Sequence, residues 1–406
     1  MRPSYWSGRE ERQTDLLVIG GGFAGLTSAI ACASARRGLQ VTLIDRHGPG
    51  TGASGRNAGM VIPFPMIPLW LLPRSLQGID ARQANAALMG HLEAVLGGLI
   101  GTAAKPQRAE IVLAARSWFW SQGLKWIMAR AAAMGVGHDR VEAEELRSRY
   151  SSGMPLAIRY PGWRVQPWEA AQHLASAAEA AGVEIVPGTE ALQLVPEAGR
   201  VRVLTANGEI VAKQVLIATN AYGNGFGGRK AGITVFSYVL ATGRLSDEQR
   251  QSLGGEAALY SELDTDIYRR VHDGRLVFGA LDKLHRRADE SWAADTTARA
   301  ELRGMLAEHL PELAGVAIEK EWGGAFCQRV TAPIIAPHTS LPGVYFNTGY
   351  GGSGVSLTLL SGALVPGMLW PEVDTEATAM LRRAYAETRV PWLSLPGMAI
   401  AALAAR

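Results

Sequence analysis

The residues best placed to do chemistry in this chain are glycines rather than acids or nucleophiles. Gly20, Gly22 and Gly25 stand in a G-x-G-x-x-G spacing with Phe23 and Ala24 between them, and an acid, Asp45, follows about twenty residues later with Arg46 beside it. A phosphate-bearing dinucleotide needs that spacing. Gly20 makes a tight turn, Gly22 lets the backbone approach a pyrophosphate, and Gly25 lets a helix pack closely on a strand. A helix N-terminus at this loop offers free N–H groups to phosphate, and Asp45 can accept hydrogen bonds from ribose hydroxyls. Arg46 raises the alternative of a 2′-phosphate and NADP, but reads more simply as a solvated arginine at a strand end.

The elements that must position these residues follow in the right order. Residues 15–20 form a short continuous apolar run, as a parallel strand buried on both faces should. Residues 26–37 read as a helix stopped by Gly38, and 40–45 as a second strand ending in the acid. Alone, the glycine spacing is a weak signal. With strand, helix, second strand and acid in register, it predicts dinucleotide binding. A second glycine-rich run then occupies residues 52–59, with Ser54, Gly55, Arg56, Asn57, Ala58 and Gly59. A nicotinamide dehydrogenase would ordinarily return here to a helix and a third strand. The apolar residues just after it argue for a buried loop packed along something flat or charged.

Together with Arg164-Val-Gln-Pro-Trp168, residues 215–222 and Gly349-Tyr-Gly-Gly-Ser-Gly354, these runs resemble, in order, the D-amino-acid oxidase-like FAD oxidoreductase superfamily. Within it the closer likeness is to the glycine/sarcosine oxidase and gamma-glutamylputrescine oxidase branch. The resemblance implies FAD and an α/β (α+β) fold. A Rossmann-like FAD-binding domain (15–78, 150–225 and 322–380) would pair with a discontinuous substrate domain (79–149 and 226–321) on a broad mixed or antiparallel sheet. Residues 1–14 are expected as a leader and 381–406 as a tail.

The resemblance also assigns roles. Ala191 is expected along the adenine, and Ala218 and Thr219 near the dinucleotide. Gly349, Gly351, Gly352, Gly354 and Val355 would bring a loop and helix N-terminus to the flavin pyrimidine, which gains negative charge on reduction. The implied reaction moves a hydride from the C–N carbon of a small amine or amino-acid-like substrate to flavin N5. The imine then hydrolyses, and O₂ or another acceptor takes the electrons. A dehydrogenase or biosynthetic tailoring enzyme on the same scaffold is the alternative. Tyr268, Arg269, Arg270 and Tyr350 are the substrate-facing candidates, and Lys283 a candidate for assisting O₂ or binding substrate. The chain departs from glycine oxidase-like members at Phe326, where they place a carboxylate-binding arginine; Arg329 lies three residues on. Cys327 does not match the family's flavin-tethering cysteine, and residues 52–60 hold no histidine. FAD is therefore expected to be non-covalent.

Elsewhere, residues 79–150 read as mainly helical, 169–181 and 296–310 as helices, and 183–186, 191–195, 201–205 and 215–218 as strands. Residues 233–244, 267–271 and 275–281 read as strands of a broad sheet, the last two joined by a turn at Asp273-Gly274. A strand near 344–348 and a helix over 355–369 flank the last glycine loop. The length, 406 residues, suits two packed domains. A net charge of +3 with scattered basic residues argues against nucleic acid. Two cysteines, Cys32 and Cys327, exclude a disulfide framework and fit a reducing, cytoplasmic setting. No stretch reaches the roughly 18 apolar residues of a membrane span, and the dispersed histidines suggest no metal.

Overall fold

The computed structural model describes residues 11–62, 81–99, 102–133, 135–226, 232–285, 295–328, 334–375 and 378–379. The apolar run after Thr14 is the centre of an eight-stranded sheet, with Leu16, Leu17 and Val18 wholly buried. Its strand, Glu11–Ile19, pairs in parallel with Val41–Asp45 on one side and Gly208–Ile217 on the other. Val183–Pro187 extends the first side and Val344–Thr348 the second, both in parallel. Ile334–Pro337 closes that edge antiparallel, and Ala191–Glu197 with Arg200–Thr205 forms a hairpin off Gly208–Ile217. The strand begins four residues earlier than its apolar run. Arg12, Gln13 and Thr14 pair by backbone with Ile210, Val211 and Ala212, so residues 11–14 belong to the sheet rather than to a leader. Side-chain polarity hid them, because ladder pairing uses only main-chain groups.

The first helix, Phe23–Ala35, packs on Pro167–Ala180, Gly354–Ser361 and Val365–Leu369. Leu26, Ala29 and Cys32 are fully buried on it; burying one leucine contributes about 1.5–3 kcal/mol. Burial pushes the Cys32 thiol up to about 12, which keeps it neutral and inert. Pro167–Ala180 begins with Pro167, and Gln166 Oε1 accepts from Glu169 N–H at 3.0 Å. The helix expected over 355–369 is interrupted by a 3₁₀ turn at Gly362–Leu364.

The second, nine-stranded sheet runs in the order Ile318–Gln328, Ile233–Arg244, Arg275–His285, Tyr268–His272, Ala258–Glu262, Gln107–Ala115, Leu156–Arg164 and Met60–Val61, with Asp139–Val141 beside Leu156–Arg164. It is antiparallel except where Ala258–Glu262 meets Gln107–Ala115. Gln107–Ala115 and Asp139–Val141 fall inside the stretch expected to be mainly helical. Residues 111–115 are all buried, and such a continuous apolar run carries no periodicity to separate strand from helix.

One irregularity matters below. Phe236 pairs with Lys283 and Tyr238 with Ala280, so Leu281 and Asp282 together face the single Ser237. This is a β-bulge, with Leu281 at φ +65°.

Candidate active site

The two sheets enclose a cavity of about 720 Å³. One end is built by the first glycine loop. Leu26 N–H makes a helical bond to Gly22 O at 2.9 Å, so the amides ahead of it open toward the cavity that Gly22, Phe23 and Ala24 line. Ser54 Oγ meets one of them, accepting from Phe23 N–H at 2.9 Å. A Cβ on Gly22 would lie 2.9 Å from that same oxygen, so any side chain there would crowd the approach. Gly25 is required for another reason: a Cβ on it would stand 1.9 Å from Gly20 O. Asp45 braces the turn, its carboxylate accepting from Gly21 N–H (2.8 Å), His47 N–H (2.9 Å) and Gly48 N–H (2.8 Å).

The second glycine loop spans the middle. Arg56 donates from Nε to Thr51 O at 2.8 Å and from Nη1 to Gly323 O at 3.1 Å, while Trp322 Nε1 donates to Arg56 O at 2.8 Å. These bonds tie the loop to the second sheet. Asn57 Oδ1 accepts from Gly59 N–H at 2.7 Å. Arg46, Ala58, Ala191, Ala218 and Thr219 also line the cavity, as do Gly349, Gly351, Gly352, Gly354 and Val355 from the C-terminal loop. Gly25, Gly55 and Gly59 stand behind its wall. Thr219 Oγ1 is buried there with no protein partner, which leaves it to a ligand.

The second sheet closes the far end with Ser237, Val239, Ser261, Tyr268, Asp282, Phe326 and Gln328, and the loop before Tyr268 adds Asp266. Tyr268 lines the cavity, its hydroxyl 3.3 Å from Ser237 Oγ, and burial pushes its phenol up. Tyr350 also lines it, but its hydroxyl donates to Asn347 Oδ1. Arg269 and Lys283 do not arrive. Successive residues of a strand point to opposite faces, so next to Tyr268 the Arg269 side chain turns away, donating to Tyr150 O with its guanidinium 4.4 Å from the Tyr260 ring centroid. Lys283 pairs at 2.8 Å with Glu301 on the helix Thr296–His309. Arg270 faces the glycine loops, yet its Nη1 is committed to Ala58 O (2.7 Å) and Val165 O (3.0 Å). Arg329 lies outside the described residues.

Asp266 and Asp282 were not singled out from sequence. Leu276, Phe278 and Ala280 face the core behind the sheet, and residue 282 would follow them in an unbroken strand. The bulge leaves Leu281 against that core and turns Asp282 into the cavity. Burial, then the charge of Asp266, lift the Asp282 carboxyl to about 7, against a hydrogen bond with Ser237. Burial raises Asp266 as well. Both side chains are solvent-exposed, and the surface they present is cavity wall.

A parallel sheet whose first loop opens a helix toward a long cavity, roofed by a second sheet, defines a dinucleotide-dependent oxidoreductase. Residues 15–366 match the DAO family, FAD dependent oxidoreductase, and the chain belongs to that family. It is 29% identical over 375 residues to "Probable oxidoreductase OrdL" of Rhizobium meliloti (strain 1021), covering 87% of this chain and 82% of the relative. It is 26% identical over 381 residues to gamma-glutamylputrescine oxidoreductase of Escherichia coli (strain K12), covering 87% and 83%. The crystal structure of glycine oxidase from Geobacillus kaustophilus superposes with a TM-score of 0.72 at 20% identity, over 90% of this chain and 96% of that one, a likeness of fold. The protein is an FAD-dependent oxidoreductase, and the open amides at the first helix, the side-chain-free wall at Gly22 and the unpartnered Thr219 hydroxyl fit that cofactor. No helix among the described residues is long and apolar enough to cross a membrane.

Proposed function

We propose that this enzyme oxidises a small amine or amino-acid-like substrate at its C–N carbon, giving an imine that hydrolyses. Bound FAD supplies the hydride acceptor, N5 of its flavin. The Ala24 amide, with Ser54 and Thr219, would hold the dinucleotide, and the loop of residues 349–354 its flavin end. The half of the chain around the parallel sheet would thus be the FAD-binding domain, and the nine-stranded sheet the substrate domain. Cys327 packs into the core behind the second sheet while its neighbours Phe326 and Gln328 face the cavity, which favours FAD held without a covalent tether through this cysteine.

The observation that carries the amine reading is the polar face of the second sheet. Tyr268, Ser237, Asp266 and Asp282 present hydroxyls and carboxylates to the cavity, while Ile111, Leu113, Trp120, Tyr160, Val239 and Phe326 give it apolar walls. The apolar walls would exclude water and hold the reacting carbon in place; the polar groups would orient nitrogen. The relative named for gamma-glutamylputrescine points the same way.

Anaerobic titration of the yellow protein with amines, amino acids and N-methylated analogues tests this. Bleaching by at least one of them is expected, and its absence across the panel rejects the reading. Lys283, the candidate for speeding reaction with O₂, is paired with Glu301 outside the cavity, which favours a second reading. In that reading the reduced enzyme passes electrons to an acceptor other than O₂, and bleaching without oxygen consumption would establish it.

A further inference from the structure

Asp282 on the second sheet and Asp266 on the loop between Ala258–Glu262 and Tyr268–His272 stand at the substrate end of the cavity with no cation beside them. Among the described residues, the basic side chains lining the cavity are Arg46, His47 and Arg56. Arg46 is 3.6 Å from Glu190, His47 follows Asp45 at the dinucleotide turn, and Arg56 is bound to loop carbonyls. Neither Asp266 nor Asp282 has an ion-pair partner among the described residues. The groups facing them, Tyr268 and Ser237, are neutral, and the nearby Glu262 is already paired with His309 at 2.7 Å. Two neighbouring carboxylates without countercharge repel one another, as the effect of Asp266 on Asp282 shows, and a cation between them relieves that repulsion. The bulge sets Leu281 against the core and leaves Asp282 facing the cavity beside Asp266.

We propose that Asp266 and Asp282 form a subsite for a second ammonium group of the substrate, one that is not oxidised, so that the preferred substrate is a diamine-like cation rather than an α-amino acid. This rests on the amine reading above and narrows it. The nitrogen at the oxidised carbon must be neutral when hydride leaves, and two anions around it would hold its proton on. Around a distal nitrogen the same two anions assist binding, fix the carbon chain along the sheet, and repel substrates carrying a carboxylate there. Phe326 offers such a carboxylate no charge in return.

The test compares α,ω-diaminoalkanes with n-alkylamines of equal length on the holoenzyme. Binding is read from the shift of the flavin band before bleaching, and turnover from KM. At pH 8 the diamine should bind about tenfold more tightly than the monoamine, as one close ion pair allows. The advantage should shrink below pH 7, where Asp282 takes up a proton. In Asp282→Asn and in Asp266→Asn the diamine-to-monoamine ratio should fall toward one, with the bound-flavin spectrum reporting that each variant has folded. If a variant loses its flavin, the wild-type ratio and its pH dependence decide. Equal binding of diamine and monoamine by the wild type, or preference for an α-amino acid, overturns the subsite while leaving the amine reading intact. Failure of every amine to bleach the flavin rejects both.

Discussion

Tyr268 occupies the space that a side chain on Gly279 would need: a Cβ at position 279 would lie 2.1 Å from Tyr268 Cζ. The two residues face each other across the antiparallel pair of Tyr268–His272 and Arg275–His285, and the ring lies flat over the bare backbone. Ser237, on the strand beyond Gly279, meets the hydroxyl at 3.3 Å. The position of the phenol in the cavity is therefore set by the absence of a side chain one strand away.

Gly279→Ala should push the Tyr268 ring into the cavity. Because the contact is with a ring held by packing, the cost is that of overpacking, about 1–3 kcal/mol. The variant should keep its FAD and its colour, yet show a raised KM and a lowered kcat. Steady-state kinetics beside the flavin spectrum checks this. Wild-type kinetics in the alanine variant would mean that Tyr268 does not shape the substrate site.

The first loop separates two uses of glycine. At Gly25 an added Cβ meets Gly20 O at 1.9 Å, backbone against backbone, and neither can give way without parting helix from strand. Gly25→Ala should therefore yield little folded protein. At Gly22 the clash, 2.9 Å, is with the Ser54 hydroxyl, which can turn aside. Gly22→Ala should fold and melt within about 1 kcal/mol of wild type but hold FAD at least tenfold more weakly, a loss of about 1.4 kcal/mol. Thermal melts with fluorescence titration of FAD would separate the two.

The cofactor end was legible from sequence because its demands fall on the backbone. Glycines at fixed spacing, a buried apolar strand and an acid at the next strand end are all local signals. The substrate end was not, because there a residue's role depends on which face of a strand it occupies. Tyr268, read as substrate-facing, lines the cavity, while its neighbour Arg269, read the same way, lies on the other side of the strand. Asp282, given no role from sequence, faces the cavity where Lys283 was expected, because one residue is inserted at Leu281–Asp282, and nothing in the local composition announces a bulge. Arg270 shows a further limit: a charged strand residue that reads as a substrate clamp is committed to two backbone carbonyls, partners distant in sequence.

The bonds that join Arg56 to Trp322 and Gly323 predict coupling between the sheet and the cofactor loop. Trp322→Phe removes the 2.8 Å bond to Arg56 O, which should cost about 1 kcal/mol. Part of that loss should appear as faster FAD release, since the loop lines the cavity. Stopped-flow release of FAD should quicken a few-fold, while the melting temperature falls by a few degrees. A change in stability with unaltered FAD release would mean the loop is held by its other bonds alone.

The carboxyl of Asp282 also makes stability depend on pH. Its value rises from 3.8 to about 7 on folding, through burial and then the charge of Asp266. A raised acid holds its proton more firmly in the folded state, so the unfolded chain releases it first as pH climbs. Stability is then lost between about pH 4 and pH 7, and the loss persists above. Asp282→Asn cannot ionise and escapes it. The substrate-free variant holoenzyme should melt at a higher temperature than wild type at pH 8, and the two curves should converge below pH 4, where both states of the wild type are protonated. Because the side chain faces an open cavity, solvent screens part of the effect, and only the sign and the pH window are fixed. A variant that melts lower than wild type at pH 8 would mean that Asp282 is satisfied in the folded protein by a partner the cavity does not show.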